Sequence, residues 1–280
     1  MLRSTKTTCF ALALVLLALP VACKREASPP AASDAGSDAA ATAAPASGVI
    51  AAPSLDDVAE RDPRYIVGIS YPPVARQYPG LGRLLKAYAD NAHGELMQAV
   101  TGIGEQTPVA PYDLSLQFSQ TVATPDIVVI AANGSSYTGG AHGNPLVARF
   151  VWLPRQSTQL TASGLVADPR GWQIIADHVR EQLRAGMVER AATYEATPSE
   201  RAQLIASGTR MIDEGTAPDP ANFDQFEPVL AADGKIKALR FVFPPYQVGP
   251  YSDGVQSALV PASMLLPVIA VAYRPLFEGG

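Results

Sequence analysis

Three apolar-rich stretches that follow one another in the middle of the chain constrain its fold most strongly. The first, Tyr112–Val122, alternates apolar and polar residues, so that Leu114 and Phe118 share one face of a strand. The second, Asp126–Ala132, is almost uniformly apolar, which is typical of a central strand covered on both faces. The third is Leu146–Leu153. Because the connections between them are short, we expect an antiparallel meander.

The connection between the second and third strands holds the most site-like residues of the chain. It reads Tyr137-Thr-Gly-Gly-Ala-His-Gly143 and packs three glycines, a tyrosine and a histidine into seven residues. Gly139, Gly140 and Gly143 can supply the positive φ of a wide or bulged hairpin, with His142 bonded to the loop backbone. Glycines also let backbone approach a ligand closely, so a binding role competes with this structural interpretation.

A second loop carries two further aromatic residues of interest. Pro244–Gly254 is rich in proline, glycine and tyrosine, and it includes Tyr246 and Tyr251. These rings either close the core or are exposed aromatics that stack on sugars and anchor interfaces. The candidate binding residues are therefore as follows: Tyr137, Gly139, Gly140, His142, Tyr246 and Tyr251.

The remaining pattern mixes helices with strands and predicts an α+β fold, an antiparallel sheet packed by helices. Apolar residues recur at helical spacing from Leu81 towards Gly102, and again after Asp168, which is suited to cap a helix that begins at Pro169. Further elements are predicted at these positions: strands at Tyr65–Tyr71 and Ser257–Val260, a hairpin around Asp233-Gly234, and helices at Pro198–Ile212 and from Pro261 through Val271.

The first residues have the features of an export signal. Arg3 and Lys6 precede an apolar run, Phe10–Leu19, that is too short to favour a membrane-spanning helix. The run ends in Leu19-Pro-Val-Ala-Cys23, which resembles the lipobox of bacterial lipoproteins. That resemblance implies a signal peptide at residues 1–22 and lipidation of Cys23; ordinary signal cleavage is the alternative. Lys24 after the cysteine favours the outer membrane over retention in the inner membrane.

Composition limits what the rest of the chain can contact. Residues 23–60 are rich in alanine, serine and proline, so we expect a flexible linker between Cys23 and the folded part. Loss of Arg3 and Lys6 with the signal lowers the net charge from −5 to about −7. An acidic chain without a Lys/Arg cluster has no footprint for nucleic acid, and its membrane contact should come from the lipid.

No catalytic constellation can be assembled from these residues. Ser135 and Ser136 lie near His142, but no Gly-x-Ser-x-Gly elbow surrounds them. Three scattered histidines and no cysteine after Cys23 predict no metal site, and no Lys-Ser/Thr follows the glycines to make a phosphate loop. We expect no cofactor and no catalytic residue. Acid–base catalysis by paired carboxylates stays open, because their pairing in space is not visible in a sequence.

The glycine-rich turn, the following strand and helix, and the Phe243–Gly254 segment together resemble the DUF4163/DUF3298 family of bacterial envelope proteins. The resemblance covers roughly residues 60 to 275, with a DUF4163-like half at 61–165 and a DUF3298-like half at 166–280. Known relatives include the extracellular domain of a lysozyme-sensing anti-sigma factor and the accessory domain of a peptidoglycan deacetylase. The resemblance implies an α+β fold and an envelope setting, with cell-wall glycan or a wall-degrading enzyme as partner. It does not imply catalysis.

The sequence therefore favours a non-enzymatic lipoprotein, exported and anchored in the periplasm, that binds peptidoglycan or a lysozyme-type protein. Two alternatives stay open at this point. One is a hydrolase or deacetylase that acts on cell-wall glycan through carboxylates and His142. The other is a structural lipoprotein that supports envelope assembly.

Overall fold

The computed structural model describes residues 53–166 and 168–280, which belong to one compact unit. The predicted signal peptide, Cys23 and most of the predicted linker lie outside these residues. The strands are β1 (Val58–Asp62), β2 (Tyr65–Ser70), β3 (Tyr112–Ala123), β4 (Val128–Tyr137), β5 (Asn144–Leu153), β6 (Thr158–Leu160), β7 (Phe226–Leu230), β8 (Ile236–Phe243) and β9 (Gln256–Pro261). The α-helices are α1 (Pro79–Gly102), α2 (Ala162–Leu165), α3 (Pro169–Thr193), α4 (Pro198–Gly215) and α5 (Ala262–Leu265).

The strands form two sheets, and the fold is α+β as predicted. The larger sheet has six strands in the order β1-β2-β3-β4-β5-β6, and the smaller has three in the order β7-β8-β9. The predicted meander is confirmed, because β3, β4 and β5 pair antiparallel in sequence. β2 and β3 pair parallel, with α1 as the crossover between them. No helix among the described residues is long and apolar enough to cross a bilayer.

Strand β4 is apolar on both faces because it separates two cores. Val128 and Ile130 pack with α1 on one face of the large sheet. Val129, between them, belongs to a second core that includes α3 and the small sheet. Alternate side chains of a strand point to opposite faces, so a strand with a core on each side must be apolar throughout.

Local sequence signals account for α3. The side chain of Asp168 accepts a hydrogen bond from the Arg170 amide at 2.9 Å, and Pro169 occupies the first turn. Trp172 is 2% exposed, stacks on Phe223 and donates its indole hydrogen to the Val166 carbonyl at 3.1 Å. The predicted apolar face is buried as a whole: Trp172, Ile175, Val179, Leu183 and Met187.

Two boundaries differ from the sequence predictions. The folded chain begins before residue 61, because Leu55 is buried and β1 starts at Val58, inside the range assigned to the linker. The sequence did not reveal β1, because its alternating pattern covers only five residues and the neighbouring residues are polar. β4 also continues beyond Ala132 to Tyr137, so the glycine-rich turn sits directly on the end of two interior strands.

The prediction of one terminal helix from Pro261 through Val271 is wrong. The α-helix covers only Ala262–Leu265, and a 3₁₀ segment follows at Val271–Leu276. Pro267 lacks the amide hydrogen that a continuing helix needs. The Ala270 amide instead donates to the Leu165 carbonyl at 2.9 Å, which ties the terminal segment to α2.

A partly buried ion pair connects the two sheets. The guanidinium of Arg149 on β5 lies 3.8 Å from the Glu227 carboxylate on β7, and both side chains are largely buried. Nη1 of Arg149 donates to the Ala148 carbonyl at 2.9 Å, and Arg240 also pairs with Glu227. Burial lowers the pKa of Arg149 from its ordinary value, and the nearby Glu227 carboxylate opposes that shift.

Strand β9, the last strand of the small sheet, is met by a side chain from α3. The Gln182 side-chain amide donates to the Leu259 carbonyl at 2.7 Å, and its oxygen accepts from the Leu259 amide at 3.1 Å. His178 makes a further contact with the same carbonyl at 3.2 Å. The partner of His178 is thus backbone that lies 81 residues further along the chain.

Candidate functional site

The glycine-rich turn between β4 and β5 takes its shape from two of its three glycines. Gly139 has φ 103° and Gly140 has φ 98°, both in the region that glycine adopts without strain. Gly143 was expected to share this conformation, and it does not. The Tyr137 hydroxyl donates to the Gly140 carbonyl at 3.2 Å, so Tyr137 and Gly140 brace the turn from within.

The second tyrosine-bearing loop is fixed to α4. Gln247 donates through its side-chain amide to the Gly215 and Asn222 carbonyls, each at 2.9 Å. A Cβ at Gly215 would collide with the Gln247 carbonyl oxygen, so the two segments approach as closely as glycine allows. Tyr246, the preceding residue, has φ 74°, which is costly for a side chain of this size.

These two loops meet, and three of the candidate residues form one aromatic cluster: His142, Tyr246 and Tyr251. The rings of His142 and Tyr251 stack at a centroid distance of 3.9 Å and an angle of 14°. The Tyr246 hydroxyl lies 2.8 Å from His142 Nε2, and the two tyrosine rings are 5.7 Å apart. Of the other candidates, Tyr137, Gly139 and Gly140 shape the turn that carries His142.

Hydrogen bonding distinguishes the two tautomers of a neutral His142 ring. Its Nδ1 lies 3.1 Å from the Gly143 carbonyl oxygen, which can only accept, so Nδ1 carries the hydrogen. Nε2 therefore accepts from the Tyr246 hydroxyl. The imidazole has both nitrogens occupied and its plane set by the stack, so it serves as a fixed part of a surface.

The aromatic cluster is open to solvent. Tyr246 is 53% exposed and Tyr251 is 37% exposed, and His142 is exposed as well. Aromatic rings that are held in place and accessible lose little entropy on binding, and their faces suit the C–H face of a sugar or an apolar side chain. The exposed ring of Tyr246 is carried on a backbone with φ 74°, and backbone strain of this kind is frequent at functional positions.

Histidine contacts within the described residues include no serine-histidine pair. No serine hydroxyl bonds to a histidine in this part of the chain. His142 contacts Gly143 and Tyr246. His93 contacts Glu60, and His178 contacts the Leu259 carbonyl. His93 pairs with Glu60 at 3.2 Å, in a small cleft of about 290 Å³. Over residues 53–166 and 168–280 there is also no His, Cys, Asp and Glu group arranged to hold a metal ion.

The sequence did not reveal a groove beside the cluster. A cavity of about 830 Å³ lies between α3, α4 and the 3₁₀ turn Tyr251–Asp253. Its wall includes Met187 and Met211, and Arg190 pairs with Asp253 at 3.5 Å along it. Met187 lies on the apolar face of α3 that the helical spacing predicts, but spacing within one helix does not show how a second helix packs beside it.

Comparison with known proteins gives matches among solved structures. No protein-family model and no curated protein sequence matches the chain. A DUF3298 family member from Bacteroides fragilis is similar with 15% identity and a TM-score of 0.40, and the match covers 75% of each chain. A DUF3298 family protein from Pseudomonas aeruginosa has 15% identity and a TM-score of 0.42, over 82% of this chain and 99% of that one. Both structures thus belong to the DUF3298 family, the family that the sequence resembles.

Proposed function

We propose that this protein is a non-catalytic binding module of the bacterial cell envelope, and that its aromatic cluster binds the glycan of peptidoglycan. The observation that carries the proposal is the exposed, pre-organised arrangement of His142, Tyr246 and Tyr251. Stacking of rings on sugars needs accessible faces and little reorganisation, and the cluster has both.

A lysozyme-type, wall-degrading protein is the second partner class that the family resemblance implies. Exposed tyrosines are also frequent anchors at protein interfaces, so the same cluster would serve such a partner. Binding measurements distinguish the two partner classes, because glycan and lysozyme can each be tested with the protein alone.

The proposal includes export and anchoring. We infer that Cys23 carries the lipid and that residues 23 to about 52 tether the folded part to the membrane, with the outer membrane favoured. Replacement of Cys23 by serine should move the protein from the membrane fraction to the soluble fraction of lysed cells. Unchanged membrane association of that variant would count against a lipid anchor.

The binding test uses the mature chain, residues 23–280, with Cys23→Ser to keep it free of lipid. Co-sedimentation with purified sacculi, and separately binding to immobilised lysozyme, should detect the partner. Tyr251→Ala should weaken binding at least about tenfold, as loss of an interface anchor does. Tyr251→Phe keeps the ring stacked on His142 and should bind as the parent does.

A second control separates the aromatic cluster from general surface stickiness. Val271 is 72% exposed and distant in sequence from both loops, and Val271→Ala should leave binding unchanged. Binding to neither sacculi nor lysozyme would refute the proposal. Release of muropeptide or acetate from sacculi, lost in His142→Ala, would instead establish the enzymatic alternative.

A further inference from the structure

The groove between α3 and α4 has an apolar floor. Met187 and Ala191 from α3 face Leu204 and Met211 from α4 across it. Leu204 is 48% exposed, although its neighbours on the floor are more buried. Methionine side chains are flexible and polarizable, so a floor built on two of them can adapt to apolar groups of different shape.

Small residues form part of the groove wall. A Cβ at Gly208 would lie 2.5 Å from the Met187 sulfur, so α4 lies directly against α3 at this point. Ser207 and Ala196 then line the space without filling it. The volume of about 830 Å³ falls within the range of about 300–1,000 Å³ that ligand sites occupy.

The rim of the groove is acidic. Glu195, Glu200 and Asp253 line it together with Arg190, which is paired with Asp253. The guanidinium of Arg201 lies close by and donates to the Ala191 and Tyr194 carbonyls. Neither Glu195 nor Glu200 forms an ion pair within the described part of the chain. Hydrogen bonds from the Thr197 side chain and backbone lower the pKa of Glu200, so this carboxylate is charged at neutral pH.

We propose that this groove binds a basic amphipathic peptide segment. Apolar side chains of the segment enter between α3 and α4 and contact Met187, Leu204 and Met211. Its lysine or arginine side chains pair with Glu195 and Glu200 at the rim. An acidic ligand of the same size would meet Glu195 and Glu200, which form no ion pair among the described residues, and this disfavours it.

This site differs from the one in the proposed function. The aromatic cluster presents flat rings to solvent, whereas the groove encloses apolar volume beneath a charged rim. The two adjoin at one turn, where Tyr251 stacks on His142 while Pro250, Ser252 and Asp253 line the groove. Peptide binding in the groove can be measured without any cell-wall material. Its result is therefore independent of whether the aromatic cluster binds glycan.

The probe is a fluorescein-labelled peptide of 14 residues made of leucine and lysine at helical spacing, and its binding to the Cys23→Ser mature chain is followed by fluorescence anisotropy. Two matched peptides replace every lysine by glutamate or every leucine by serine. We expect the basic amphipathic peptide to bind, and the other two to bind at least about tenfold more weakly.

Two variants of the protein locate the binding. Ser207→Trp places a large ring in the groove from an exposed helix position and should lower affinity at least about tenfold. Glu195→Gln with Glu200→Gln removes the rim charge, and glutamine at position 200 retains the capping function; we expect at least about a threefold loss. Glu105→Gln with Glu278→Gln makes the same change of net charge elsewhere and should bind as the parent does.

Circular dichroism spectra and melting curves establish that each variant folds before it is compared. The proposal is overturned if Ser207→Trp binds the peptide as well as the parent does. It is equally overturned if the leucine-free peptide binds as tightly, or if the control pair of charge changes weakens binding as much as the rim pair. Those results would describe general attraction between a basic peptide and an acidic protein.

Discussion

The hydroxyl of Tyr246 donates to Nε2 of His142 at 2.8 Å, across 104 positions of the chain. His142 lies on the turn between β4 and β5 of the large sheet, and Tyr246 lies on the loop between β8 and β9 of the small sheet. The aromatic cluster therefore exists only when the two sheets are packed correctly. Substitutions in the Tyr246 loop, in α4 and between the two sheets test the cluster and the elements around it.

The backbone at Tyr246 should respond differently to alanine and to glycine. Both substitutions remove the ring, but only glycine adopts φ 74° without strain. We expect Tyr246→Gly to be more stable than Tyr246→Ala by about 1 kcal/mol. Urea denaturation followed by circular dichroism measures the difference, and equal stability would mean that the loop relaxes when the ring is lost.

Gly215 should control the position of the Tyr246 loop. The Cβ in Gly215→Ala would collide with the Gln247 carbonyl and move the loop away from α4. We expect weaker co-sedimentation with sacculi, and a loss of stability of about 1–3 kcal/mol, the usual cost of overpacking. Gly94→Ala, on α1 with open space around its Cβ, is the matched control and should be neutral or stabilising.

The buried ion pair between the sheets should be costly to break on one side. Glu227→Leu leaves the guanidinium of Arg149, which is 9% exposed, without its carboxylate, and we expect a loss of about 3 kcal/mol. The double variant Arg149→Met with Glu227→Leu should lose less than Glu227→Leu alone, because no unpaired charge stays buried.

An exposed ion pair provides the comparison. Arg155 pairs with Asp126 on the surface, with 69% of its side chain exposed, so Arg155→Ala should change stability by no more than about 0.5 kcal/mol. Denaturant unfolding of each variant gives both values. If Glu227→Leu costs no more than Arg155→Ala, the interior pair is not what joins the sheets.

The start of α4 should give a pH dependence in the acid range. The Thr197 side chain and backbone donate to the Glu200 carboxylate and lower its pKa below the ordinary value of 4.5. A carboxylate with a depressed pKa in the folded state stabilises the protein above its unfolded pKa, and the contribution is lost as pH falls through the folded value.

Thr197→Ala should therefore lower the melting temperature at neutral pH, since loss of an N-cap costs about 1 kcal/mol. The difference from the parent should narrow as the pH falls below 4.5 and through the lowered pKa of Glu200, because Glu200 becomes protonated in both proteins. Thermal melts across this range measure it. A difference that stays constant with pH would assign the effect to the cap alone.

Local signals explain which parts of the fold the sequence predicts. The Asp168-Pro169 start and the apolar face ending at Met187 define α3 within one stretch of chain, and Asp233-Gly234 does the same for its hairpin. The prediction of the terminal helix was wrong because it followed the apolar spacing and gave too little weight to Pro267, which interrupts a helix. The contact that decided its course, from the Ala270 amide to Leu165, joins distant segments.

The candidate site shows the same division. Residue type marked His142, Tyr246 and Tyr251 as binding candidates, and they meet in one cluster. Their meeting depends on how two sheets pack, which no local pattern encodes. Tyr137 is also a tyrosine in a glycine-rich loop, but its hydroxyl donates to the Gly140 carbonyl within its own turn. The sequence did not reveal the groove either, because the groove depends on how α3 and α4 pack against each other.

The amide of Gln182 also has a consequence for how copies of this protein behave together. β9 ends the small sheet, and its outer backbone groups would otherwise offer a template to a strand from another molecule. Gln182 occupies the donor and the acceptor of Leu259 as a neighbouring strand would, beside a leucine that is 43% exposed. Gln182, with His178 beside it, thus occupies backbone groups at Leu259 that an edge strand of another copy would otherwise pair with.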